Sequence, residues 1–369
     1  MKYTFNNARE KKNDYAIIML TALLVAFGML MLGSASSNMS QTAIGDSWYF
    51  LRHQAIHGLG LGLIGFIAAS LIYYKRYERW ALWGMGFAII LLTLTFTPLA
   101  LETKGAARWV DLGFVTFQPA EPLKLFFIIY LAALFSSNRA KKKNARAGFI
   151  AFLAIIGVIA GILLKQPATS TAILLTLVAL AMYFMSGARI MHIVITVCLA
   201  AALLAPLIYF TPYRMARISA FLAPAKHSQT ANYQVSQAQR AIKMGGALGV
   251  GYGQSTTKIK YLPEPLADSI FAVIGEELGF AGSLALIALF LALILRLLFV
   301  AHTIHDQFGS LILIGFASVI GLQVLVNIGA ISGLLPLTGM PLPFISYGGT
   351  ALATALTMMG IANNISKYS

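Results

Sequence analysis

The stretch that decides the fold is GGALGVGYGQSTTKIKYLPEPLADSIFAVIGEELG, residues 245–279. It begins with a glycine-rich run, continues through two lysines and a Pro-Glu-Pro turn, and becomes apolar after a single carboxylate, Asp268. The apolar character persists to about residue 300, which is long enough to enter a bilayer. An acid at the mouth of a hydrophobic helix, after a basic loop, predicts chemistry at a membrane surface.

The composition is that of a membrane protein. Of the 369 residues, 59% are hydrophobic and 11% are charged, with a mean hydropathy of +0.78, whereas soluble domains carry about 25% charged residues. The net charge of +15 would indicate nucleic acid in a soluble protein. Here cytoplasmic lysines and arginines that set the topology explain it, so we expect membrane lipid and no nucleic acid as a partner.

The apolar runs predict an all-α polytopic protein with ten transmembrane helices in a single membrane domain over residues 1–369. A spanning helix needs about 20 mostly apolar residues. The predicted spans are 15–34, 54–74, 80–99, 119–136, 147–164, 169–186, 189–210, 268–300, 308–331 and 344–364. Residues 211–267, between helices 7 and 8, form the one large loop, in which function is expected to concentrate.

The basic residues predict the orientation. With the N-terminus inside, the inner segments hold 15 lysines and arginines and the short outer loops hold 4. This asymmetry favours both termini in the cytoplasm and the 211–267 loop outside. The cluster Lys141–Lys143 is the main inner anchor. Within the loop, 213–222 is predicted to form an amphipathic helix on the outer leaflet, and 232–243 is a second helical segment.

Asp268 is the candidate for chemistry, although an Asp just before a helix is more often only an N-cap. A carboxylate at an apolar boundary suits a general base, because desolvation raises its pKa. Glu264 lies between two prolines and either contacts substrate or shapes the turn. The glycines of 245–253 lack the Gly-Lys-Ser/Thr ending of a nucleotide loop. They predict flexibility or a close backbone approach to a ligand.

Four charged residues lie inside predicted spans. Glu276 and Glu277 should face protein or a water-filled cavity, either in a structural ion pair or in a functional role. Glu121 and Lys124 can form an (i, i+3) ion pair that lets the segment insert. In the alternative, Lys124 faces a cavity and meets an anionic headgroup.

Residues 327–349, which we call the signature segment, contain three prolines and five glycines and cannot form one unbroken helix. Non-helical backbone at membrane depth must be buried in protein or line water, so this segment is expected to border an outer cavity. Asn327, Thr338 and Ser346 are expected to supply polar groups to this cavity, with Ser346 in contact with substrate, and Pro343 is expected to shape it. The histidines are scattered and show no zinc-site spacing.

With these residues laid out, the chain resembles the SEDS family (shape, elongation, division and sporulation) of bacterial peptidoglycan glycosyltransferases. The matching segments are GAARWVDLG at 105–113, QPAEPLKL at 118–125, YLPE with DSIFAVIGEELG within 261–279, and the signature segment. GVGYGQSTTK at 249–258 is closer to the division branch than to the elongation branch. One departure is QPATST at 166–171, where Ala168 replaces the usual family acid.

The resemblance implies an enzyme of the bacterial cytoplasmic membrane that polymerises lipid II into glycan strands at the outer face, with Asp268 as the essential acid. It also implies a partner, a class B penicillin-binding transpeptidase. We expect the negative charge that develops on the diphosphate to be stabilised by bases from among these six: Arg108, Lys124, Arg214, Arg217, Lys243 and Lys258. Any divalent cation, Mg or Mn, would bridge Asp268 and substrate oxygens, because few acids lie outside.

Two other classes of function remain open from the sequence. A flippase or transporter of the lipid-linked precursor would use the cavity beside the signature segment, with Glu121, Glu276 and Glu277 as coupling sites. A scaffold that only recruits partners would tolerate substitution of Asp268.

Overall fold

The computed structural model of the chain describes residues 13–103, 106–113, 116–137, 145–223 and 232–369. In these ranges the protein is largely helical, and seven helices are long and apolar enough to cross a membrane. The chain is therefore a multi-pass membrane protein. The bases that precede residue 13, Lys104 and the Lys141–Lys143 cluster lie outside the described residues.

Each of the ten predicted spans overlaps a helix. In chain order the helices are α1 Tyr15–Ile44, α2 Tyr49–Leu71, α3 Lys75–Thr93, α4 Ala120–Ser136, α5 Ala145–Lys165, α6 Thr169–Met185, α7 Ile190–Tyr209, α8 Pro212–Leu222, α9 Tyr233–Gly245, α10 Thr257–Lys260, α11 Ile270–Thr303, α12 Gln307–Ile331 and α13 Gly349–Ser366.

Local sequence signals set several helix ends. The Asp14 carboxylate accepts from the backbone N–H of Ala16 at 3.0 Å and so caps α1. Gly45 ends the same helix in the left-handed conformation, with φ 78°. Asp306 caps α12 by accepting from the N–H of Gly309 at 3.2 Å. These caps satisfy backbone groups that the helices leave without internal partners.

Helix α12 is the centre of the bundle and α7 lies at its periphery. Two thirds of the apolar window of α12 is buried inside the protein (67%), against 6% for α7. Helix α13 packs along α2 through small residues, because a Cβ at Gly360 would come within 2.4 Å of the Phe66 carbonyl oxygen. This close helix–helix approach is the packing that small residues allow in membranes.

A small antiparallel sheet departs from the all-α prediction. It consists of β1 Ala100–Thr103, β2 Ala106–Asp111 and β3 Thr116–Phe117, in the order β1-β2-β3. Val110 pairs with both Ala100 and Phe117, so β2 is the central strand. The strands are short, and in the sequence they lie between two strong helical signals, which is why hydropathy alone missed them.

Helix α11 is broken where the sequence predicted one long span. Gly279 has non-helical backbone angles, φ 65° and ψ −161°, so a short first half is offset from the longer second half. A Cβ at this position would lie 2.3 Å from the backbone nitrogen of Gly249. Glycine permits both the conformation and the contact.

Both helices predicted within the 211–267 loop are present, as α8 and α9. In α9 one face, which holds Gln234, Gln237 and Ala241, is turned inward, with Gln237 and Ala241 buried. Gln234 on the same face donates to the Ser269 hydroxyl at 3.0 Å. Helix α9 therefore packs on the start of α11, next to Asp268.

Candidate active site at Asp268

Asp268 lies in the turn that leads into α11. The N-cap position belongs to Ser269, whose side chain makes no capping hydrogen bond, so the predicted capping position of Asp268 is wrong by one residue. Asp268 is half-buried and precedes the first helical residue by two positions. Its carboxylate is therefore presented by a turn, ahead of the helix.

The signature segment wraps around the backbone of this turn. The Asn327 side-chain amide donates to the Asp268 carbonyl at 2.9 Å and to the Met340 carbonyl at 2.7 Å. The Ser346 hydroxyl donates to the Ala267 carbonyl at 2.6 Å. The Tyr347 N–H donates to the Leu266 carbonyl at 2.8 Å. Residues 266–268 are thus held from two sides by a segment more than 50 residues away in sequence.

Beside the Asp268 carboxylate, the signature segment has a glycine, Gly339, which leaves space because it has no side chain. Gly339 has φ +71°, and a Cβ built on it would lie 3.3 Å from Asp268 Oδ2. Next to it, the Thr338 hydroxyl is buried and has no hydrogen-bond partner among the described residues. A buried polar group without a protein partner calls for a water or a ligand.

Arg217 and Ser170 contact the same part of the signature segment, and Arg108 contacts the turn just before Ser170. Arg217 on α8 donates to the Leu337 carbonyl at 3.1 Å. The Ser170 hydroxyl donates to the Thr338 carbonyl at 2.8 Å. Arg108 donates to the carbonyl of Pro167, three residues before Ser170. The structure thus brings α8, strand β2 and the 166–171 motif together near Gly339 and Asp268.

The other bases predicted to contact diphosphate lie elsewhere. Arg214 donates to the Thr211 hydroxyl at 3.2 Å, at the start of its own helix, α8. Lys243 is exposed on α9. Lys258 is buried in an ion pair with Glu277, 2.5 Å apart, a position that differs from the predicted contact with substrate. Glu264 has φ +52°, and its carbonyl accepts from the N–H of Ser269 at 3.1 Å, so it shapes the turn before Asp268.

Glu276 and Glu277 are fully buried and face protein, as the sequence predicted. Glu276 accepts from Ser255 at 2.5 Å and from the Thr257 hydroxyl. Glu277 accepts from the α1 residue Ser34 at 2.7 Å, in addition to its pairing with Lys258. Each carboxylate therefore has several donors, which a buried charge requires. Together they join α1, the 249–258 loop and α11.

The glycine run 245–253 approaches this same helix. A Cβ at Gly245 would lie 1.9 Å from the Gly275 carbonyl oxygen, and one at Gly249 would lie 2.1 Å from that of Glu277. The Val250 N–H donates to the Glu276 carbonyl at 3.0 Å. The glycines therefore permit the loop to approach α11 of the same chain closely. The sequence predicted flexibility or a close approach to a ligand instead.

Glu121 and Lys124 form the predicted ion pair, with Oε1 and Nζ 2.7 Å apart and both side chains buried. Lys124 also donates to Gln323 at 3.3 Å, and Gln323 donates to the Pro341 carbonyl at 2.9 Å. The adjoining cavity, which Pro343 also lines, measures about 30 Å³, space for about one water. Lys124 thus connects to the signature segment through Gln323.

The donor set around Asp268 does not make a resident metal site. Among the described residues, no group of three His, Cys, Asp or Glu side chains is close enough to hold an ion. Two or more protein ligands of this kind are usual for bound cations. A cation at Asp268 would need substrate oxygens as further ligands.

Sequence reasoning missed the residues that join these segments. Gln323 and Ser34 are single polar residues in apolar helices, a pattern that does not identify their partners. The histidines show no zinc-site spacing in the sequence. The (i, i+4) spacing of His53 and His57, however, places both on one helix face. Both line a cavity of about 360 Å³ together with Trp109 and Tyr347.

The fold and site define a multi-pass helical membrane protein with one carboxylate held at the start of a broken helix by a distant, proline- and glycine-rich segment. Comparison with known sequences gives the family. The model of the FtsW/RodA/SpoVE family, described as cell cycle protein, matches residues 14–369. The chain belongs to this family.

The relatives and a solved structure match along nearly the full chain. The probable peptidoglycan glycosyltransferase FtsW of Geobacter sp. (strain M18) is 35% identical and covers 96% of each chain. The stage V sporulation protein E of Bacillus subtilis is 34% identical over 96% of this chain and 97% of its own length. A chain of a peptidoglycan synthase complex that coordinates polymerization and crosslinking superposes with a TM-score of 0.81, 27% identity and coverage of 96% and 97%.

Proposed function

We propose that this protein is a peptidoglycan glycosyltransferase that polymerises lipid II at the outer face of the bacterial cytoplasmic membrane. The observation that carries the proposal is the enclosure of the Asp268 turn by Asn327 and Ser346, with Gly339 beside the carboxylate. Relatives named as probable peptidoglycan glycosyltransferases support the activity. The FtsW-like sequence favours a role in division over elongation.

The proposed topology has ten spans, both termini in the cytoplasm and the 211–267 loop outside. The charge asymmetry of the short loops supports it. In this orientation the start of α11, the loop helices α8 and α9, and the β1–β3 sheet share the outer side. Asp268 then lies at the level where lipid-linked sugars meet the membrane surface.

The proposed reaction is one inverting displacement. Asp268 takes the proton of the acceptor sugar 4-hydroxyl as general base. The oxygen attacks the anomeric carbon of the donor, and the bond from that carbon to the diphosphate oxygen breaks, so undecaprenyl diphosphate leaves with the electron pair. Arg217, which contacts the Leu337 carbonyl, and Arg108, which contacts the 166–171 motif, would stabilise the charge that develops on the diphosphate.

The proposed partner is a single-span class B penicillin-binding transpeptidase that crosslinks the new strands. The superposition on a chain of a synthase complex that coordinates polymerization and crosslinking supports such a partnership. A flippase function gains less support. Its coupling acids Glu121 and Glu277 are paired with lysines, and Glu276 is saturated with hydroxyl and amide donors.

The test is polymerisation of lipid II by purified protein in detergent, with and without chelator. We expect Asp268→Asn to abolish polymer formation while the protein stays folded, and Glu102→Gln, an exposed acid on β1, to leave it unchanged. Polymerisation at the normal rate by folded Asp268→Asn would refute the assignment. Movement of labelled lipid across vesicles without polymer would instead favour a flippase.

A further inference from the structure

The described part of the chain contains a second, larger cavity, which borders the end of the signature segment at Tyr347 to Gly349. It measures about 360 Å³, within the range of about 300–1,000 Å³ typical of small-molecule sites. Its walls are the first half of α2, the start of α13 and strands β2 and β3. Its lining residues include His53, His57, Leu61, Trp109, Tyr347 and Thr350.

The α2 wall is a row of residues at (i, i+4) spacing, His53, His57 and Leu61. The two imidazole rings stack with centroids 4.3 Å apart. His57 lies on a π-helical stretch, Gln54–Gly60, which His53 directly precedes; such a local distortion is frequent at functional sites. Gln54 on this stretch accepts from the Gly348 N–H at 3.0 Å, which fixes the histidine row against the end of the signature segment.

The hydrogen bonds of the histidines leave both a donor and an acceptor for a ligand. His57 Nδ1 donates to the His53 carbonyl at 3.3 Å, so Nε2 of the neutral ring is an acceptor. Tyr347 Oη and His53 Nδ1 lie 2.9 Å apart. When the tyrosine hydroxyl donates, His53 carries its proton on Nε2 and can donate from there.

The opposite wall is aromatic. Trp109 of β2 and Phe117 of β3 line the cavity together with the Thr350 hydroxyl. Aromatic faces that bury apolar surface, with a few polar groups that fix orientation, are the usual composition of a small-ligand site. A purely apolar polyprenyl chain would offer no hydrogen bond to the Nε2 atoms of the two imidazoles, which is costly.

We propose that this cavity binds an N-acetylated pyranose ring of the glycan substrates, as a subsite connected to the Asp268 turn through Tyr347. Such a ring offers an apolar face to the aromatics and hydroxyls to the histidines. Tyr347 links the two sites, because its hydroxyl contacts His53 while its N–H is bonded to Leu266, two residues before Asp268. The inference rests on the proposed function, since it names where that reaction's saccharide lies.

The direct test is photo-crosslinking to Asp268→Asn protein in detergent. Three probes are used: the lipid-linked disaccharide with a diazirine on its sugar N-acyl group, the same lipid with a diazirine in its tail, and a short lipid-free glycan strand with a sugar diazirine. We expect a sugar probe to label peptides that contain Trp109 or Tyr347. Labelling by the lipid-linked sugar, the strand or both identifies the source. Labelling by the tail probe alone, or none, overturns the proposal.

A kinetic test uses a matched pair on α2. Leu61 lines the cavity and is 52% exposed, whereas Leu63 is 46% exposed and does not line it. Leu61→Trp should raise KM for lipid II about tenfold with kcat retained, the pattern of lost substrate binding, and Leu63→Trp should leave both unchanged. Equal effects of the two variants overturn the subsite. Normal polymerisation by Asp268→Asn would instead refute the proposed function itself.

Discussion

The side-chain amide of Asn327, near the end of α12, donates a 2.9 Å hydrogen bond to the main-chain carbonyl of Asp268. The same amide holds the Met340 carbonyl at 2.7 Å. One buried residue of the central helix therefore joins the candidate general base to the loop that passes over it. The position of the carboxylate depends on α12, although the two residues are 59 positions apart in sequence.

Asn327→Ala should lower both stability and polymerisation. It leaves two carbonyls without their donor, at about 1–3 kcal/mol each when buried, and it frees the Asp268 turn. The control is Asn363→Ala, an equally buried asparagine near the end of α13 that contacts Ser70. Thermal unfolding in detergent should fall for both variants, whereas kcat for lipid II should fall beyond the stability loss only for Asn327→Ala. Parallel losses would contradict a positioning role.

Arg217 and Arg214 form a second matched pair, one turn apart on α8. Arg217 contacts the signature segment and Arg214 contacts Thr211. If guanidinium charge stabilises the leaving diphosphate, Arg217→Gln should reduce kcat about 10- to 100-fold. Arg214→Gln should stay within about threefold, because its guanidinium is bonded to Thr211 at the start of its own helix and makes no hydrogen bond to the described residues of the signature segment. Steady-state polymerisation rates decide, and a larger effect at Arg214 would reverse the assignment.

The Lys258–Glu277 pair is predicted to be structural. Both side chains are almost fully buried (2% and 0% exposed), so Lys258→Met should cost about 3–5 kcal/mol by leaving a buried carboxylate without its cation. The double replacement Lys258→Met with Glu277→Met should recover most of this loss. The control is Arg52→Met, which removes the exposed cation that pairs with Asp46. It should lower the free energy of unfolding by less than about 1 kcal/mol. The free energy of unfolding in detergent distinguishes these outcomes.

Comparing alanine substitutions at Gly249 and Gly253 separates the cost of backbone strain from the cost of a close contact. Both have left-handed angles, φ +84° and +81°, but only a Cβ at Gly249 would strike another atom, the Glu277 carbonyl oxygen. Gly253→Ala should therefore cost about 1–2 kcal/mol. Gly249→Ala should cost clearly more and expose the 249–258 loop to protease. Equal proteolysis of the two variants would show that the loop does not depend on this contact.

The loop also carries a group whose ionisation is altered by the fold. Burial, followed by the charge of Glu277, raises the pKa of Tyr252. Its hydroxyl donates to the Leu30 carbonyl at 2.8 Å, so the loop is held against α1 by a neutral phenol. A raised pKa keeps this donor protonated well above neutral pH, and the contact should therefore persist across the physiological range.

Hydropathy by itself determined the helical class of the protein and the approximate positions of its helices. These depend on runs of about 20 apolar residues and on local caps, which are local properties of the chain. The (i, i+3) pair Glu121–Lys124 was predicted for the same reason. The motifs identified the family and pointed to Asp268.

Only the tertiary structure decided which distant groups share a site. It placed Lys258 with Glu277, joined Asn327 and Ser346 to the Asp268 turn, and broke α11 at Gly279. It also assembled the cavity of His53, Trp109 and Tyr347 from three separate segments. In each case the physical cause is a buried polar group that must find a partner or a glycine that permits close approach. Such partners lie many residues away, and their choice depends on how the helices pack.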